Sequence, residues 1–154
     1  KGLKDIPRIS TFLQLAGRKG MAVVDSDEPA QKLQKTQQDG HVAWHRYDEL
    51  LGVKKSLTAE DFVSQVKLRS TLGIICRSNG ISATPLETLF SGEDSVRNAG
   101  SWLEKFGIEG DDLKRVLNEW KSAIFDDLKA SEILDLYEDI HKAIEGHVNR
   151  LNSA

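Results

Sequence analysis

From Asp111 to Leu151 the chain reads as two consecutive amphipathic helices, and this stretch constrains what the remainder can become. Leu113, Val116, Leu117, Trp120, Ile124 and Leu128 recur at the three-and-four spacing that lines one face of a helix. Ile133, Leu136, Tyr137, Ile140, Ala143, Ile144, His147 and Leu151 repeat the pattern, with Glu132, Asp135, Glu138 and Asp139 early and Lys142 and Arg150 late. Acid before base complements a helix dipole. Two apolar stripes of this length need covering, so upstream segments are expected to pack on them. A break is expected near Lys129-Ala130-Ser131, with Ser131 as cap.

The upstream segments read as shorter helices. Pro7 sits in the first turn of one that carries Ile9, Phe12 and Leu13 and ends at Gly17; Gly17-Arg18-Lys19-Gly20 then forms a flexible basic loop. Met21 to Val24 is the one stretch with extended character, and it has no evident partner strand, so no sheet is expected. Asp25 to Pro29 caps a helix that turns polar from Gln31 to Gln38. The apolar positions Ala43, Trp44, Tyr47, Leu50 and Leu51 read as helix again before Gly52. Leu57-Thr58-Ala59-Glu60-Asp61-Phe62 has a cap, an acid three residues on and a hydrophobic staple, and predicts a helix running to Asn79-Gly80. Thr84-Pro85-Leu86-Glu87 predicts another short helix ending near Gly92, and Val96, Ala99, Leu103 and Phe106 a further one ending at Gly107.

The expected fold is therefore all-α: a bundle of about six or seven helices in one domain over residues 1–154, the last two longest and amphipathic. Residues 1–5 are read as a loose lead-in and 25–40 as a polar arm. With Lys1 first and Met21 the only methionine, the sequence is expected to be a processed product or a piece of a longer protein. No apolar run approaches the roughly 20 residues of a membrane span. The single Cys76 cannot form an internal disulfide, which suits a cytoplasmic or nuclear protein, one of viral or phage origin included.

Charge is unevenly placed. Residues 1–80 hold 13 Lys and Arg against 9 Asp and Glu, a net +4, whereas residues 81–154 hold 8 against 15, a net −7. Such an asymmetry draws opposite ends of two molecules together, or draws separate partners. Catalytic patterns are absent from this reading. Cys76 lies among Gly73, Ile74 and Ile75, which favours an inert buried thiol. His41, His45 and Glu49 would share one helical face, but they lack the glutamate of a His-Glu-x-x-His motif and a third histidine, so no metal or other cofactor is assigned.

The reading is a non-enzymatic helical interaction or assembly module that binds a protein partner or itself. Its acidic end offers Asp126, Asp127, Asp135, Glu138 and Asp139 to steer a basic partner, with Trp120, Phe125 or Tyr137 as apolar anchor. The alternative is a domain for RNA or single-stranded DNA in a packaging or replication protein. It would use Arg8, Arg18, Lys19, Lys32, Lys35, Arg46, Lys54, Lys55, Lys67 and Arg69 on phosphates, with Trp44 or Tyr47 stacking on a base.

Overall fold

A computed structural model describes residues 6–36 and 41–152. The expected lead-in, 1–5, and the last residues of the polar arm, 37–40, lie outside them. The protein is mostly helical, at 61%, with a single two-stranded sheet among the described residues. Its elements run α1 (Ile6–Leu15), β1 (Gly20–Val24), α2 (Glu28–Thr36), β2 (Val42–Arg46), α3 (Tyr47–Leu51), α4 (Gln65–Ser78), α5 (Ser95–Glu104), α6 (Gly110–Asp126) and α7 (Leu136–Asn152), with 3-10 turns at Ala59–Phe62 and Ala130–Glu132. They form two compact units, residues 58–137 and residues 1–57 with 138–154.

The sheet corrects the expectation of none. Met21 to Val24 does have a partner: β1 and β2 run parallel in the register Gly20↔Val42 to Val24↔Arg46, with α2 as the crossover. Residues 42–46 had read as helix because Ala43, Trp44 and Tyr47 fit that spacing. Their strand character depends on a pairing made through a helix, which local periodicity does not contain. Val24, Ala30, Val42 and Trp44 make the small core of this unit, joined by Leu13 and Ala22. The basic connection Gly17 to Gly20 is a tight turn. Gly17 closes α1 at φ +61°, Arg18 N–H donates to Leu13 O at 2.8 Å, and a Cβ on Gly20 would stand 2.6 Å from Leu13 Cδ1. Asp27 caps α2 through Ala30 N–H at 2.9 Å, as its sequence suggests.

The second unit is mainly helical, with an irregular stretch and one antiparallel bridge. Its core is Val63, Leu68, Leu72, Cys76, Ile81, Phe90, Ala99, Trp102, Leu103, Val116, Trp120 and Ile124. The capping box at Thr58 and Asp61 is present but closes only a 3-10 turn; Val63 is extended, and α4 starts afresh at Ser64, whose Oγ accepts from Lys67 N–H at 3.3 Å. The interruption has a tertiary cause. Val63 pairs antiparallel with Ile133, Ser64 N–H donating to Glu132 O at 2.7 Å and Leu134 N–H to Phe62 O at 2.8 Å. The stop at Gly80-Ile81 is as expected, with Gly80 at φ +69° and Ile81 N–H on Cys76 O at 2.8 Å.

The helix expected from Thr84 does not form. Residues 81–94 are turns and extended chain, in which Pro85 packs on Gly73 and the Phe90 ring stacks on Trp120 with centroids 5.6 Å apart. Burying those two side chains in different places outweighs a single turn of helix propensity. The break between α6 and α7 falls where expected, but Lys129 and not Ser131 precedes the 3-10 turn, and α7 begins at Leu136. No described helix is long and apolar enough to cross a membrane.

Candidate partner-binding surface

The acidic residues of the terminal helices occupy two electrostatically opposite places. Asp135, Glu138 and Asp139 stand at the start of α7, where the exposed N–H groups make carboxylates favourable; Glu138 and Asp139 also face Lys142 at 3.9 and 4.0 Å. These acids have a sufficient structural role in the helix itself. Asp126 and Asp127 are different. They end α6, where the terminal carbonyls concentrate negative charge and no basic residue lies in the last turn, although Lys67 of α4 meets the Asp127 carbonyl. Both are exposed, and among the described residues neither carboxylate makes a hydrogen bond or ion pair.

Phe125 immediately precedes them and is 44% exposed. Helical spacing explains its position, since Val116, Trp120 and Ile124 occupy the buried face and Phe125 falls one residue past it. An apolar ring beside two unpaired acids is thus held at the end of a well-packed helix. Tyr137 is also exposed, at 42%, with its ring edge-on to Phe62 at 6.3 Å. The remaining expected anchor, Trp120, is corrected by the structure. It is fully buried, donating from Nε1 to Leu68 O at 3.1 Å, so it organises the core and presents nothing to a partner. Its stripe position was legible; its use as a surface anchor was not consistent with that position.

One contact fixes the acidic corner. Lys67 Nζ donates to Asp127 O at 2.8 Å and lies 3.6 Å from Glu132 Oε2. Lys129 N–H donating to Glu132 at 2.8 Å lowers that carboxyl below its ordinary value, and the Lys67 charge adds to this. Lys67 therefore serves the fold and is withdrawn from the expected phosphate-binding set. Arg46 is likewise engaged, with Asp48 at 3.0 Å and Glu49 at 3.2 Å; the Asp48 hydrogen bond raises its already high pKa. Lys32 pairs with Glu28 at 2.7 Å on the surface, and Arg69 reaches Glu87 only at 3.9 Å. Arg8, Arg18, Lys19, Lys35, Lys54 and Lys55 are exposed. The aromatic platform is not: Trp44 is buried in the sheet unit's core and Tyr47 is half-buried.

The histidines also part from their expected row. His45 lies in β2 and Glu49 in α3, where it accepts from Arg46 N–H at 2.9 Å, so His41, His45 and Glu49 share no helical face. His45 instead meets His147, ring centroids 4.0 Å apart, a juxtaposition no local spacing reveals. Burial lowers the His45 pKa first and the neighbouring His147 second, with Glu49 opposing them. A histidine whose folded pKa lies below its unfolded value contributes fully above the unfolded value, near 6.5, and its contribution is lost as pH falls through that value toward the folded pKa. The unit containing β2 is expected to lose stability from pH 7 to pH 5, with His45→Gln flattening the profile; identical melting profiles for the two proteins would contradict this. Among the described residues no three His, Cys, Asp or Glu side chains are grouped to hold a metal ion. Cys76 is buried in the core, and burial pushes its thiol pKa up. Comparisons with protein-family models, with curated proteins and with solved structures found no match to this chain.

Proposed function

We propose that the protein is a non-enzymatic interaction module that binds a protein partner or a further copy of itself through the end of α6, with Phe125 as apolar anchor and Asp126 and Asp127 as steering charges. The observation that carries this reading is the placement of two unpaired acids at the negative end of a helix, next to an exposed aromatic ring. Local rules of helix stability favour Lys or Arg there; Lys67 meets the Asp127 carbonyl and Glu132 but not the two aspartate carboxylates, and departures from such rules concentrate where a surface serves a function. A cationic partner relieves the repulsion on binding. Burial of the ring supplies affinity, while the acids supply rate and orientation.

The test is light scattering on the full chain at about 20 mM and about 500 mM salt, concentrations at which surface charges are weakly and strongly screened. The mass is expected to exceed the 17.2 kDa of one chain at low salt and to fall to it at high salt. Phe125→Glu should stay at one chain's mass under both conditions while keeping the wild-type melting temperature. Unchanged association of a folded Phe125→Glu protein would remove the reading.

The nucleic-acid reading retains one supporting feature. Arg18 and Lys19 are exposed on the turn into β1 and, among the described residues, carry no ion pair. A short single-stranded oligonucleotide added to the same low-salt samples separates the two readings. Affinity that falls steeply with salt and is lost in an Arg18→Ala/Lys19→Ala protein favours phosphate binding.

A further inference from the structure

The outer face of α4 carries a surface complementary to the acidic corner. Arg69, Ser70, Gly73, Ile74 and Arg77, with Thr84 and Pro85 across from them, line a shallow groove of about 310 Å³. Its floor is apolar, because the Pro85 ring lies 3.5 Å from where a Cβ on Gly73 would be. Ile74, at 55% exposure, and Val66, at 67%, extend the apolar surface along the same helix. Arg69 and Arg77 stand at its two ends. Arg77 has no ion pair among the described residues; Arg69 pairs with Glu87 at 3.9 Å, and because Glu87 is itself almost fully exposed, that surface pair is weak enough for an aspartate of a second copy to compete with it. One aromatic ring with two following carboxylates matches this arrangement in polarity and charge.

We propose that this groove receives the Phe125-Asp126-Asp127 corner of a second copy of the chain, Phe125 lying over Gly73 and Pro85 and the two aspartates meeting Arg69 and Arg77. The proposal rests on the reading of that corner given above and adds its counterpart. The chain cannot make the contact with itself. Lys67 points toward α6 and holds Asp127 O, whereas Arg69, two residues along the same helix, projects about 200° around the axis, so corner and groove lie on different sides of one unit. Contact between different surfaces on successive copies is heterologous and propagates head to tail unless a ring closes. Seven lining residues are far fewer than the roughly 20–30 a side of a standard stable interface, so the association is weak, salt-sensitive and concentration-dependent.

Charge reversal with complementation tests it on the full chain. Arg69→Glu/Arg77→Glu makes the groove acidic, and Asp126→Lys/Asp127→Lys makes the corner basic. In sedimentation at low salt each variant alone is expected to lose at least about tenfold in self-association, because its own two surfaces now repel. An equimolar mixture should regain it, since each altered surface now meets an opposite one on the other variant. Circular dichroism and melting of each variant establish that it is folded; should either double variant unfold, the single Arg77→Glu and Asp126→Lys proteins carry the same comparison. A mixture that stays at one chain's mass, or wild-type association by the groove variant, overturns the groove. If Phe125→Glu abolishes association while the groove variants leave it intact, the corner stands and only its counterpart is wrong. Wild-type protein that stays at one chain's mass up to about 1 mM at low salt, a concentration matching a binding free energy of about −4 kcal/mol, overturns both the groove and self-association.

Discussion

Trp120→Ala is expected to lower the stability of the helical unit by about 3–5 kcal/mol, the range for removing a large aromatic side chain from a well-packed core. Three separate losses contribute. The indole is fully buried, its ring stacks on Phe90, and its Nε1 satisfies Leu68 O in α4. The side chain thus joins α6 both to α4 and to the irregular 81–94 segment, and its removal leaves a cavity, a ring without its neighbour and a helical carbonyl short of its second donor. Urea unfolding followed by far-ultraviolet circular dichroism measures the loss. A change below about 1 kcal/mol would contradict this account of the core. The comparison with Phe125 is informative: five residues along the same helix, Phe125→Ala is expected to leave stability within about 0.5 kcal/mol, because that ring is largely outside the packing.

Asp61→Ala is expected to cost about 3 kcal/mol, more than an ordinary cap, because one buried carboxylate serves two elements. Oδ2 accepts from Thr58 N–H at 2.9 Å and from Thr58 Oγ at 3.2 Å, closing the 3-10 turn; Oδ1 accepts from Ser95 N–H at 2.9 Å at the start of α5. Asp94, in the left-handed region at φ 54°, turns the chain into α5 at this point. The side chain of Asp61 is 1% exposed, so water cannot replace the lost acceptors without entering the core. Asp61→Asn keeps one acceptor oxygen and should lose roughly half as much. Equal losses for Asn and Ala, or a change below about 1 kcal/mol for Ala, would show that the carboxylate does not bridge the two elements. Neighbouring Glu60, also buried, ion-pairs with Lys121 of α6 at 3.2 Å, so the same short turn reaches both α5 and α6.

The capping signal at Thr58 and Asp61 was therefore legible in the sequence, yet its meaning was not. Local spacing identified the cap correctly and extended it into one long helix. The antiparallel bridge from Val63 to Ile133 instead ends the turn, and Asp61's second partner lies 34 residues away. The acidic corner was similarly half legible. Phe125 beside its helix's stripe, followed by Asp126 and Asp127, is visible from helical spacing alone. That these carboxylates lack partners among the described residues while Asp135, Glu138 and Asp139 sit at a favourable helix end required the helix boundaries. Arg77 entered no sequence-based reading, because its only distinction is the Pro85-lined groove beside it.

Periodicity located the two terminal helices, the buried face of α6 through Val116, Trp120 and Ile124, the glycine stops at Gly80 and Gly107 and the charge asymmetry, since each depends on residues within a turn or two of one another or on composition; on α7 it placed Ile140 in the core, whereas Leu136 and Tyr137 of the same expected stripe are exposed. Tertiary structure decided the parallel strand pair, the irregular path of 81–94, the meeting of His45 with His147 and the groove on α4. Each of these arises where distant segments compete to pair backbone groups or bury side chains, and that competition is settled by which arrangement leaves fewest buried groups unpaired and least apolar surface in water.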